Sequence, residues 1–275
     1  MSDPLPSPDF ISIGAPRAAT TWLAGALQAH PAIWVPPCKN IAYFHPRFQM
    51  YRLKKFKRFW RGMFGTDNTA RWYRRFFLCF IPNVHWYQSL FPRGIVSGEI
   101  AESYCTLDDT RIQKLYALNP DLKIIFVMRN PYERALSHAK RGALRRSDTL
   151  NEREMMRHIN HPSSESRSLY TQILSRWEGV FPADQMFIRF YEDIQTAPET
   201  FLNDLYSFLN VPYDAACFKT VIHTQPNQSK VNDDTIPLSI RRYTAAKYRD
   251  EIAKLSGRFG GRAKQWLEQM DKILA

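Results

Sequence analysis

The chain of 275 residues predicts an α/β protein of three layers, a central, mostly parallel sheet flanked by helices. Three observations carry that prediction. Short apolar runs alternate with helical patterns, the order expected of a parallel sheet joined by helical crossovers. One run, KIIFVMR at 123–129, is apolar without alternation, as a strand buried on both faces requires. Residues 10–30, FISIGAPRAATTWLAGALQAH, read as a strand, a small-residue turn and a helix, the layout of a phosphate-binding loop.

Taken in order, residues 10–13 are the first strand and 21–30 the helix that follows it. GIVSGEIAESY at 94–104 is a second strand with a polar end, and 111–119 a short helix that stops before Pro120. The helix over 130–144 has a well-marked start: Asn130 as N-cap, Pro131 in the first position, and Glu133 in the first turn. Helices at 168–181, 198–210 and 237–256 and a strand at 185–190 complete the pattern. No Gly/Ser- or Pro-rich linker divides the chain, so it reads as one domain over 1–275.

Residues 46–93 break the alternation. Aromatic side chains are mixed there with Arg and Lys without a strong period. The segment reads as an insertion over one face of the sheet. Its helices either pack aromatics inward beneath solvated basic faces or form a basic, aromatic wall along an acceptor cleft. Stacking on single-stranded nucleic acid is a third use of such a pattern.

The 38 basic and 26 acidic side chains leave a net charge of +12, which favours an anionic partner. The sign alone does not choose among nucleic acid, membrane surface, polyanionic sugar and nucleotide. Cys38, Cys79, Cys105 and Cys217 form no C-x-x-C pair and read as free thiols in a reducing compartment. The opening MSDPLPSPDF lacks a basic n-region, and the longest near-apolar run, FFLCFI at 76–81, is too short to span a bilayer. A soluble, cytoplasmic protein is the expectation.

Set against the Walker pattern G-x-x-x-x-G-K-[ST], Gly14 takes the first glycine and Ala19 the second. Thr20 stands in place of the lysine and Thr21 in place of the hydroxyl residue. The backbone cradle and helix N-terminus remain, with Arg17 as the cation within the turn. At the end of the central strand, where a Walker B aspartate would help hold Mg²⁺, the residue is Arg129. A cation replaces a metal site, so no metal is required, and Ser137 is placed to add a hydroxyl. A nucleoside carrying both 5′ and 3′ phosphates fits these two anion sites.

PRAATTWL resembles the 5′-phosphosulfate loop of the sulfotransferases that use 3′-phosphoadenosine 5′-phosphosulfate (PAPS), and VMRNPYERALSHAKR resembles their 3′-phosphate motif. GEIAESY, SLYTQILSRWEGVFPADQMFIRFYEDI and FLNDLYSFLNVP follow in that family's order and spacing. The resemblance covers nearly the whole chain, is weakest over 46–85, and lies nearest the bacterial and Golgi-type branch. It implies a P-loop NTPase-like fold and transfer of a sulfuryl group to a hydroxyl acceptor, leaving 3′-phosphoadenosine 5′-phosphate (PAP). A small molecule, a lipid-like alcohol or a saccharide would be the acceptor, with no nucleic-acid partner.

The resemblance also implies roles for particular residues. It places Arg17 (usually Lys in the family), Ala18, Ala19, Thr20, Thr21 and Trp22 around the phosphosulfate. It places Arg129 and Ser137 on the 3′-phosphate, Tyr170 near the nucleotide, and Lys230, in NQSK, on a loop that closes over it. Two acceptor-side residues depart from the pattern. In CKNIAYFH, Asn40 replaces the glutamate of a K-E-x-x-F-F-like motif that serves as base, and Ile100 replaces the lysine of G-E-K-x-P-x-Y. Glu102, His45 and Glu99 are the candidates to supply the displaced base, with Arg17 as the catalytic cation. A catalytically weak nucleotide-binding relative, or a basic module for nucleic acid or membrane, is the competing reading.

Overall fold

The computed structural model describes residues 6–144, 150–216 and 236–275. Five strands, Phe10–Gly14 (β1), Ile33–Trp34 (β2), Val96–Ile100 (β3), Lys123–Met128 (β4) and Met186–Phe190 (β5), form one sheet in the order β2-β3-β1-β4-β5. Every neighbouring pair is parallel. β1 is buried along its whole length and β4 from Ile124 to Met128, as strands covered on both faces must be. At Gly98 of β3 an added Cβ would lie 2.2 Å from the carbonyl oxygen of Phe10, so only glycine lets β3 approach β1 there.

The helices of the first half are Thr20–Ala29 (α1), Phe48–Phe59 (α2), Asn68–Leu78 (α3), Val84–Gln88 (α4), Asp109–Leu118 (α5) and Pro131–Ala143 (α6). Those of the second are Glu152–Ile159 (α7), Pro162–Glu165 (α8), Tyr170–Glu178 (α9), Tyr191–Thr196 (α10), Pro198–Phe208 (α11), Leu238–Phe259 (α12) and Gly261–Leu274 (α13). Asn130 caps α6 as expected, its side chain accepting from the Tyr132 N–H at 3.1 Å. The sheet winds from β1 towards β3 on one side and towards β4 on the other. The phosphate-type loop after β1 and the residue after β4 therefore meet in the crevice at the carboxyl ends of the strands.

The second strand differs from its expectation. It ends at Ile100, and a 3₁₀ turn at Tyr104–Thr106 takes over the polar end. Strand alternation therefore does not set the direction of Glu102. Residues 46–93 fold as α2, α3 and α4 around a second apolar cluster that includes Phe48, Trp72, Phe76, Trp86 and Tyr87. Trp72 and Phe76 stack at 5.0 Å, Tyr43 and Tyr87 at 5.1 Å. Most of the aromatics turn inward to close this cluster, while Phe56, Trp60, Phe64 and Phe80 stay exposed among the basic residues around it. No helix of the described residues is long and apolar enough to cross a membrane. Cys38, Cys79 and Cys105 are free thiols; Cys217 lies outside the described residues.

Candidate active site

The loop between β1 and α1 has an unusual backbone. Arg17 and Ala19 take φ of 76° and 54°, one either side of Ala18. Left-handed residues in such a turn direct successive N–H groups to one side and form an anion-binding concavity. α1 then starts at Thr20 without a side-chain cap and without an acid in its first turn. Its first N–H groups are thus left to an anionic ligand, with the positive end of the helix dipole behind them. Ala18 is fully buried, so it serves through its backbone. Trp22 is also buried, edge-on to Phe201 with ring centroids 6.1 Å apart, and fixes the first turn of α1 against α11.

The loop and the end of β4 are joined directly. Arg17 Nε donates to Ser137 Oγ, on α6, at 3.0 Å. Arg129 Nη1 donates to the Arg17 carbonyl at 3.2 Å, and its Nε and Nη2 donate to Glu133 Oε2 at 3.2 and 3.1 Å. The Arg129 guanidinium also lies 4.9 Å from the centroid of the Tyr191 ring. Sequence reasoning separated two anion sites, one at the loop and one at Arg129 and Ser137. The structure makes them neighbours, because parallel pairing of β1 with β4 aligns the two strand ends. Burial, followed by the charges of Arg141 and Arg129, lowers the pKa of Arg17, while Glu102 opposes that shift.

Lys39 belongs to this group and was not singled out by the sequence. Its Nζ donates to Thr21 Oγ1 at 2.9 Å and to Thr20 Oγ1 at 3.4 Å. Thr20 Oγ1 in turn donates to Glu102 Oε2 at 2.7 Å. Burial is the main cause of a lowered Lys39 pKa, with Glu102 again acting in the other direction. The signal was the K-E-like motif itself: Lys39 is its lysine, one residue before the departure at Asn40. Asn40 stands in the same corner, its Oδ1 accepting from Ser103 Oγ at 2.7 Å and its N–H donating to the Ile100 carbonyl at 2.7 Å. The two departures from the sequence pattern thus meet, beside Glu102.

A cavity of about 710 Å³ opens over these residues. Seven cations line it (Arg17, Lys39, Lys54, Lys55, Arg58, Arg129 and Arg141), and Glu102 is the one carboxylate among the lining residues. α2 supplies one wall through Tyr51, Lys54, Lys55, Arg58 and Phe59. Such a lining suits a ligand with several negative charges and leaves a single oxygen base beside it.

The other expected residues stand elsewhere. Glu99 is fully buried at β3, away from the cavity wall, where the Tyr87 hydroxyl donates to its Oε1 at 2.9 Å. His45 lines a different cavity, of about 630 Å³, with Tyr43, Phe44 and Arg111. Its Nδ1 accepts from the Arg47 N–H at 3.0 Å, and burial, then Arg167, Arg47 and Arg111, push its pKa down to about 4. Tyr170 is fully buried, edge-on to Phe126 at 5.4 Å, behind the strand ends and off the cavity wall. Lys230 lies outside the described residues.

Burial raises the Glu99 pKa from 4.5 to about 7 against the hydrogen bonds of Tyr87 and Tyr104 and the amides of Ala42 and Ile41. The folded state therefore holds this proton where the unfolded chain releases it. The stabilisation is complete below pH 4.5 and is lost as pH rises through about 7. We expect this group to contribute a loss of about 3 kcal/mol across that window, opposed by His45 and His138, whose lowered pKa values add stability over the same range, so the wild type should lose about that much relative to Glu99→Gln. Urea midpoints at about pH 5 and about pH 7 check this; an unchanged slope in the variant would refute it.

A family model described as "Sulfotransferase family" matches residues 8–215. Among curated proteins, the chain is 26% identical over 237 residues to the bifunctional heparan sulfate N-deacetylase/N-sulfotransferase 1 of Caenorhabditis elegans, covering 80% of this chain and 24% of that enzyme. The chain thus spans about a quarter of that relative's length. Among solved structures, a sulfotransferase from Alicyclobacillus acidocaldarius superposes with a TM-score of 0.61 at 21% identity, covering 94% of this chain and 98% of the other. A mouse sulfotransferase solved with PAP superposes with a TM-score of 0.56 at 11% identity, over 96% and 89% of the two chains. These likenesses establish the sulfotransferase fold.

Proposed function

The chain belongs to the sulfotransferase family, and from that premise we propose that it transfers a sulfuryl group from PAPS to a hydroxyl group of an acceptor, releasing PAP. One observation carries the reading: a single cavity joins an anion-binding helix N-terminus, Arg17 and Arg129, and the lone carboxylate of Glu102, with Ser137 bonded to Arg17 behind its wall. PAPS, when bound, supplies the activated sulfuryl group. The residues present fit such a ligand, since cations, hydroxyls and amides make up the donor set around the loop.

In this reading Ser137 and Arg129 hold the 3′-phosphate. Ser137 then exchanges its bond to Arg17 for one to the ligand, which frees the Arg17 guanidinium to turn to the 5′-phosphate. Arg17, Lys39 and the first amides of α1 stabilise negative charge as it grows on that phosphate. Arg17 is a permanently charged fork, suited to clamping and not to proton transfer. Glu102, held by Thr20, takes the proton of the acceptor hydroxyl. Free cysteines at 38, 79 and 105 support a reducing, cytoplasmic setting.

The test is ligand discrimination. We expect PAP to bind without Mg²⁺ and far more tightly than AMP. A charge-assisted contact is worth about 1.5–3 kcal/mol, so Arg129→Ala should lose roughly 10- to 150-fold in PAP affinity and little in AMP affinity. Calorimetry on the two proteins reads this directly. Equal affinities of the wild type for PAP and AMP would remove Arg129 and Ser137 from the site. Consumption of PAPS in the presence of an acceptor then separates an enzyme from a nucleotide-binding relative.

A further inference from the structure

Residues 46–93 hold eleven Arg and Lys and a single acid, Asp67, so +10 of the chain's net +12 charge sits in this one segment. Asp67 is occupied in capping α3, accepting from the Ala70 N–H. The same segment holds nine of the twelve large apolar side chains that stand exposed among the described residues. Phe80 is 97% exposed, Ile81 84% and Phe64 77%. An isolated exposed apolar residue calls for no explanation, but this concentration does.

The geometry of α2 sorts the two properties onto two faces. At about 100° per residue, Tyr51, Lys54, Lys55, Arg58 and Phe59 share the face that lines the active-site cavity. Leu53, Phe56 and Trp60 lie on the opposite face, exposed, with Lys57 among them and Met50 at its edge. The end of α3 is tied to this outer face. Arg52 donates through Nε to the Phe76 carbonyl at 2.9 Å and through Nη2 to the Phe77 and Cys79 carbonyls at 2.8 and 2.5 Å. Phe56 and Phe77 meet edge-on at 5.4 Å. Phe80 and Ile81, which follow directly, therefore emerge beside the apolar stripe of α2.

We infer that this face docks on an anionic lipid bilayer, with Phe80, Ile81 and the α2 stripe entering the interface and the surrounding Arg and Lys meeting acidic headgroups. The charge complements such a surface, and each cation near it adds to attraction. Aliphatic and phenyl groups in a basic frame are what an interfacial element presents. A soluble polyanion would use the cations but would leave Phe80 and Ile81 without a role. Resting on the transferase reading, α2 then stands between bilayer and cavity, and the acceptor class is an amphipathic alcohol resident in the membrane.

Vesicle co-sedimentation of the full chain tests the docking without PAPS, so its failure is distinct from failure of the transferase reading. We expect sedimentation with phosphatidylcholine vesicles containing phosphatidylglycerol, little with phosphatidylcholine alone, and release by high salt. Phe80→Ser/Ile81→Ser should lower the partition coefficient at least about tenfold, with the thermal shift produced by PAP unchanged. Lys57→Ala should lower it by a smaller factor. Wild-type partitioning of the double variant overturns the proposal. So does binding to heparin with no binding to either vesicle, which would reassign the face to a polyanionic saccharide. A dimer in solution that the same double substitution abolishes overturns it as well, in favour of a second copy of the chain.

Discussion

Replacing Glu102 by Gln is expected to lower kcat at least about 100-fold while PAP binding stays at its wild-type strength. The substitution keeps an oxygen to accept from Thr20, whose Oγ1 stands 2.7 Å from Glu102 Oε2, so the loop should keep its shape. What is lost is the ability to take a proton. Glu102 is the one carboxylate among the residues lining the cavity, and it stands beside the N-terminus of α1, where the 5′ end of the nucleotide is proposed to sit. The corner that would hold a glutamate at position 40 holds Asn40 bonded to Ser103, next in the chain to Glu102. A base displaced from one side of that corner to the other is the simplest account of the sequence. His45→Asn and Glu99→Gln serve as comparisons. His45 opens to another cavity and is a weak base with its pKa pushed down to about 4. Glu99 is sealed from the cavity by complete burial. Both variants should keep near-normal turnover. A Glu102→Gln enzyme that retains kcat on an alkyl alcohol would sink the assignment. Retention on a phenol alone would point to the acceptor's own acidity.

Much of this was legible because it is local. The apolar runs of β1, β4 and β5, the Asn130 cap of α6 and the order of strand and helix follow from period, burial and capping preferences that act over a few residues. β2 was not legible, since two residues, Ile33 and Trp34, carry no period. Helices were expected over 46–93, but the bounds of α2, α3 and α4 were hidden for another reason. Their aromatics feed a separate cluster around Phe76 and Trp86, while exposed Leu53, Phe56 and Phe80 face outward, so no single apolar stripe marks the helices. The site divides in the same way. Arg17, Arg129 and Ser137 could be picked out one by one, but the contact of Arg17 with Ser137 spans 120 residues and depends on the pairing of β1 with β4. Lys39 escaped because its partners, Thr20 and Thr21, lie across the cavity and not along the chain. Glu102 lines the cavity as expected of a site residue, but not for the reason the sequence offered: it sits on a turn after Ile100 and not on a strand.

Arg17→Ala is expected to lower kcat by roughly 10²- to 10³-fold, the range seen when one preorganised donor to a developing anion is removed, and to weaken PAP binding by much less. The physical ground is that charge on the leaving phosphate is greater in the transition state than in the ground state, and only interactions that strengthen there raise kcat. Arg17 is well placed for such a role. It sits in the turn itself with φ of 76°, it is half-buried, and neighbouring Arg129 and Arg141 raise the cost of its charge. A buried cation crowded by other cations is stabilised when an anion grows beside it. Its bond to Ser137 gives a way to test the exchange of partners proposed above. Ser137→Ala removes a ligand of the 3′-phosphate and the resting partner of Arg17 together, so it should weaken PAP binding yet leave kcat at saturating PAPS close to normal. Arg17→Ala should do the reverse. If Arg17→Ala instead loses PAP affinity and keeps kcat at saturation, Arg17 holds only the ground-state anion, and Lys39 and the α1 amides carry the developing charge.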